Sequence, residues 1–234
     1  MAIYIVQNVY KPNEATTNRL LAIIKSLNYL GLKASVLFLM PDAMLSKVNL
    51  HLSNIQFDYL WGKRSFSNKY LKYITGFFSA LKLRRRIKDN DILLMYDVCF
   101  WDVLLSSNKV KYYYEVTESP DIISFPTLPF DFSHKRYYSY CKRMAGVFVI
   151  TDALRVLFEE NGVKKENIHK INMIVDIERF EGLIKNCSEK RIVYCGTASN
   201  NKDGVDQLIK AFFIFSQTHP DVKLYIYGKT PKIS

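Results

Sequence analysis

Short apolar runs alternate with helix-spaced apolar stripes along most of the chain. The first run, AIYIV at 2–6, reads as a strand and gives way to the polar loop QNVYKPNEA. Thr16 or Thr17 then caps a predicted helix in which Leu20, Ile23, Ile24, Leu27 and Leu30 recur every three or four residues, and Gly31 closes it. KASVLFLM follows as a β-rich run. Strand, helix and strand within about 40 residues is the cadence of a parallel βαβ unit. Downstream the pattern predicts a strand at FDYLW, a basic helix, a strand at DILLMYD, a short helix at CFWDVLLSS and a strand at KVKYYYEVT. After the proline-marked loop SPDIISFPTLPFDF come a helix over 134–144, the buried strand AGVFVI, a helix ALRVLFEEN capped by Asp152 and ended by Gly162, and a strand at IHKIN.

The irregular stretch over 176–190 resets this rhythm. Beyond it RIVYCGT, DGVDQLIKAFFIFSQT and VKLYIYG read as strand, helix and strand. The expectation is an α/β protein with a complete Rossmann-like domain over 1–175, a linker over 176–190, and a second Rossmann-like domain begun over 191–234 as one βαβ unit.

Composition sharpens this only in places. No apolar run approaches the roughly 20 residues of a membrane span, and the N-terminus lacks the charged and apolar regions of a signal peptide. Cys99, Cys141, Cys187 and Cys195 show no metal or disulfide spacing, so reduced thiols and a cytoplasmic setting are expected. The formal charge of +11 is concentrated: residues 62–88 hold nine Lys or Arg and no acid. Phe66, Tyr70, Tyr73, Ile74, Phe77 and Leu81 stand at helical spacing in the same stretch. Two readings stay open there. The stripe packs on a sheet and the cations are simply solvated, or the helix lies on anionic lipid at the inner face of a membrane. A nucleic-acid role is the weakest reading, since no such motif accompanies the charge.

The chemistry suggested most directly lies at 194–212, YCGTASNNKDGVDQLIKAF. Gly196 ends a strand without a Cβ, a polar loop follows, Asp203 can cap the next helix, and Lys202 stands just ahead of it. Ligands of parallel α/β sheets sit at strand carboxyl ends, where helix N-termini aim N–H groups outward. The ammonium and the helix end would share the charge of a diphosphate. No Asp-x-Asp pair suggests a metal, and the four histidines have no partner in a catalytic motif.

The segment NIHKINMIVDIERF at 167–180 resembles the interdomain signature of family-4 glycosyltransferases, with Asn172, Val175, Asp176 and Phe180 in register. VFVITDALRVLFEENGVKKENIHKI resembles that family's last N-domain strand and helix, and VYCGTASNNKDGVDQLIKAF with HPDVKLYIYG resembles the start of its donor domain. The resemblance covers about 146–229 and implies a GT-B fold, with an acceptor-side domain first and a nucleotide-sugar domain second. It implies retaining transfer from a UDP- or GDP-linked sugar, in surface polysaccharide or glycolipid synthesis, with no cofactor or metal. Gly196, Thr197 and Lys202 would contact the donor diphosphate, Thr197 standing where the family often has arginine.

On the acceptor side the resemblance points to Asn13 and Glu14 in the first loop, and to Thr117 and Glu118 where many members carry a histidine. Glu118 is the catalytic candidate, against the simpler reading of a solvated loop acid. The family's pair of donor-site glutamates would lie beyond Ser234, so the chain as written is expected to be weakly active or inactive. Two alternatives follow: a complementing chain supplies the rest, or the protein is a non-catalytic remnant that binds a glycan, a lipid or a partner.

Overall fold

The computed structural model describes residues 1–7, 10, 15–39, 52–60, 69–95, 110–120, 134–184, 188–196 and 203–228. They fall into two units, Met1–Arg179 and Phe180–Ser234.

The first unit is built on seven parallel strands: β1 (Ile3–Gln7), β2 (Ala34–Phe38), β3 (Ile55–Tyr59), β4 (Ile92–Met95), β5 (Lys111–Val116), β6 (Gly146–Val149) and β7 (Ile168–Lys170). They lie in the order β3-β2-β1-β4-β5-β6-β7. The chain steps one way from β1 to β3 and the other way from β4 to β7. Right-handed crossovers therefore put the early and late connections on opposite faces. That is where the helices are found. Helix α1 (Ala15–Tyr29) packs Leu20 and Ile24 on Ile5, Val36 and Phe38. Helices α2 (Lys69–Arg86), α3 (His134–Cys141) and α4 (Asp152–Glu160) bring Leu83, Tyr138 and Phe158 to the other face, over Leu93, Tyr114 and Val147.

Strand patterning explains the two cores. Tyr112, Tyr114 and Val116 of β5 point to the three-helix face, while Tyr113 and Glu115 point to the α1 face. Helix α1 starts at Ala15, so Thr16 and Thr17 sit in its first turn rather than at its cap. It ends as its glycine predicts. Gly31 adopts φ +69°, its N–H bonds Asn28 O at 3.0 Å, and Leu32 N–H bonds Leu27 O at 3.0 Å, which is a Schellman closure.

A second expectation is corrected at α4. Its cap is Thr151, whose Oγ1 accepts from Leu154 N at 3.2 Å, and Asp152 is already helical. Asp152 instead pairs with Lys170 at 2.7 Å, whose hydrogen bond holds its carboxyl below the ordinary value. Thr151→Ala is expected to cost the first unit about 1 kcal/mol in urea denaturation.

The second unit holds β8 (Lys190–Cys195), α5 (Val205–Ser216) and β9 (Val222–Tyr227), with β8 and β9 parallel from Lys190↔Val222 to Cys195↔Tyr227. Two strands and one helix leave much apolar surface open, and Ile192, Ile209, Phe213 and Ile214 are exposed. The cap of α5 is Gly204 with no side-chain hydrogen bond, so Asp203 does not close this helix end as expected. The predicted short helix CFWDVLLSS lies outside the described residues.

Candidate functional site

The carboxyl ends of β1, β5, β6 and β7 define one rim of the first unit, where α1 and β5 contribute a pair of charged groups. Arg19 and Glu115 form a buried ion pair there, Nε on Oε1, with side chains 2% and 3% exposed. The guanidinium also holds the chain leaving β7. Its NH1 donates to Asn172 O at 3.2 Å and meets Met173 Sδ at 3.3 Å, and its NH2 reaches Ile171 O at 3.5 Å. Glu115 Oε2 and Gln7 Oε1 are buried and have no hydrogen-bond partner among the described residues. Burial holds the Glu115 carboxyl above its ordinary value, against the opposing charge and hydrogen bond of Arg19.

Nearly two turns further along α1, Lys25 binds Asp176 Oδ2 and Glu178 Oε2, both at 2.7 Å. Those hydrogen bonds, Asp176 first, raise its pKa. Helix α1 thus fastens the segment 171–178 at two points. Between α1 and strands β4–β6 runs an apolar trough of about 410 Å³, lined by Ile5, Ile23, Leu94, Tyr113 and Phe148, with Arg19 and Glu115 among its walls.

The structure distributes the sequence-derived candidates unevenly. Thr117 and Glu118 directly follow β5, Thr117 half-buried and Glu118 exposed, so both stand at the rim. Gly196 directly follows β8, but its N–H donates to Tyr227 O at 2.9 Å and continues the β8–β9 ladder. Asn13, Glu14, Thr197 and Lys202 lie outside the described residues. Within the signature, Asn172 offers its carbonyl to Arg19 and Asp176 its carboxylate to Lys25, while Val175 and Phe180 are exposed. No group of His, Cys, Asp and Glu side chains suited to a metal occurs among the described residues.

Sequence reasoning missed Arg19 and Glu115. A signal was present in each: an acid inside the otherwise apolar strand YYYEV, and an arginine one turn before Ile23 on a core-facing stripe.

No family model and no curated protein matches this sequence. Solved structures do match along its length. TarM of S. aureus, solved with fondaparinux, alpha-GlcNAc-glycerol and UDP, superposes with a TM-score of 0.68 at 12% identity, covering 99% of this chain and 73% of TarM. HepE of Anabaena, solved with UDP and glucose, gives 0.61 at 14% identity over 99% of this chain and 62% of its own. An E. coli trehalose-6-phosphate protein bound to UDP-2-fluoro glucose gives 0.62 at 9% identity, over 99% and 65%. The fold is GT-B-like. The chain spans roughly two thirds of the length of those neighbours, each of them solved with UDP or a UDP-sugar. The first unit carries the seven-stranded parallel sheet, and β8-α5-β9 of the second forms one parallel βαβ unit.

Proposed function

We propose that the chain is part of a retaining, nucleotide-sugar-dependent glycosyltransferase of family-4 type, working on a saccharide or lipid-linked acceptor in surface polysaccharide or glycolipid synthesis. The observation that carries this reading is the end-to-end match of both units with enzymes solved with UDP or a UDP-sugar. In it the seven-stranded unit presents its carboxyl rim, with Thr117 and Glu118, to the acceptor. The donor is a UDP- or GDP-sugar held through its diphosphate by Lys202, Thr197 and the amides that follow Gly196. The Gly196 amide itself is committed to Tyr227. Donor contacts from the backbone therefore fall to residues 197–202, which precede α5. No metal is part of the proposal, since the ammonium and the helix end supply the countercharge.

One observation favours a second reading, in which the protein binds a glycan, a lipid or a partner chain without chemistry. The strand-ending glycine that marks the donor loop spends its N–H inside the sheet. Titrating the chain with UDP and with GDP by calorimetry separates the two. Binding at millimolar affinity or better is expected, weakened about tenfold or more by Lys202→Ala, the scale of a lost charge-assisted hydrogen bond. A flat titration, or an unchanged affinity in Lys202→Ala, would leave only the binding-protein reading.

A further inference from the structure

Residues 69–86 of the basic segment singled out in the sequence fold as α2, whose outward face keeps several large apolar side chains in water. The buried side carries small residues, Thr75, Gly76, Ser79 and Ala80, together with Leu83, and Phe77 packs partly buried against the same core. Three other large apolar residues point outward: Leu71, Ile74 and Phe78 are 43%, 52% and 47% exposed. Their spacing of three and four residues sets them in one ridge, and the next positions on that ridge are Lys82 and Arg85. Arg84, Arg85 and Arg86 complete the last turn, where cations also suit the helix dipole.

From this we infer that the outward face of α2 docks on an anionic lipid surface. Leu71, Ile74 and Phe78 enter the boundary between headgroups and acyl chains, while the basic end of the helix meets phosphate. Charge complementarity selects this occupant. The stretch 62–88 contains nine Lys or Arg and no acid, so a second copy of this chain would meet the same sign of charge. A nucleic acid would use the cations but leave the apolar ridge in water. Not every cation is equally available. Arg86 pairs with Asp58 at 2.7 Å, and Lys82 donates to Leu60 O at 3.1 Å, which leaves Arg84 and Arg85 as the residues to test. No helix among the described residues is long and apolar enough to cross a membrane, so the contact is with one leaflet surface. The inference stands apart from sugar transfer, because vesicle binding needs no donor.

The test is co-sedimentation of the full chain with phosphatidylcholine vesicles, with and without roughly 30 mol% phosphatidylglycerol. Binding is expected only to the anionic vesicles and should weaken as salt is raised. Arg84→Ala and Arg85→Ala should each lower the partition coefficient about fivefold. Ile74→Glu with Phe78→Glu should lower it more than tenfold, with circular dichroism unchanged because both positions are exposed. Equal binding to neutral vesicles overturns the inference. So does undiminished binding of the Glu variant, or displacement of the parent and that variant alike by single-stranded RNA, since either makes the surface a general polyanion binder. Loss of vesicle binding with UDP binding intact rejects this inference alone and leaves the functional reading standing.

Discussion

Glu115→Leu lowers the stability of the seven-stranded unit by about 3–5 kcal/mol, and adding Arg19→Met to it recovers most of the loss. The asymmetry follows from where the pair sits. Both side chains are almost wholly excluded from water, and an arginine cannot shed its proton to escape an apolar site. Removing the carboxyl alone leaves a buried guanidinium with no anion beside it among the described residues, facing the carbonyls of Ile171 and Asn172 and the Met173 sulfur. Removing both replaces the pair with apolar side chains beside Ile23 and Tyr113, which line the same trough. Urea denaturation of the two single variants and the double variant measures the coupling. If the double variant loses as much as the sum of the singles, the pair is not what holds this corner. The pair also has a pH signature. Burial raises the folded carboxyl above its ordinary value near 4.5, so its contribution is fully present below that value and is lost as pH rises toward the folded pKa. Glu115→Gln should flatten that decline in the urea midpoint between acid and neutral pH.

What the sequence disclosed about this region, and what it did not, follows from the range of the interactions. Helix α1 was legible because Leu20, Ile23, Ile24 and Leu27 with Gly31 form a local code of period and closure. The alternation of strands and helices carried the doubly wound class in the same way. The Arg19–Glu115 pair was not legible, because the partners are 96 residues apart and meet only once β1, β4 and β5 have taken their register. The orientation of α2 was hidden for a related reason. Spacing shows that Ile74, Phe77 and Leu81 share a side, but only the packed sheet shows that small residues took the inner face and Ile74 the outer one. At Gly196 the sequence shows a glycine after a strand. That its N–H is already engaged becomes visible only when β9 lies alongside β8.

The same ladder makes Gly228→Ala the most damaging small change expected in the second unit. A Cβ built on Gly228 would fall 1.6 Å from the carbonyl oxygen of Gly196 and 2.7 Å from its carbonyl carbon, and the backbone there holds φ +146°. Backbone atoms cannot swing aside as a side chain can, so the ends of β8 and β9 must separate. That breaks the 2.9 Å bond from Gly196 N–H to Tyr227 O. Gly31→Ala provides the contrast. It also sits at positive φ but meets nothing within 4 Å, so it should cost about 1–2 kcal/mol, from backbone conformation alone. Gly228→Ala adds the steric overlap and should exceed about 4 kcal/mol, enough to abolish protection of the β8 and β9 amides in hydrogen exchange. The first unit should keep its exchange pattern, since the overlap involves only residues of the second. Gly196 also leads into the loop proposed to hold the donor diphosphate. UDP affinity should therefore fall with the ladder in Gly228→Ala and stay unchanged in Gly31→Ala. Retained affinity after loss of the ladder would mean that the donor is held without the ordered ends of β8 and β9, against a site that depends on them.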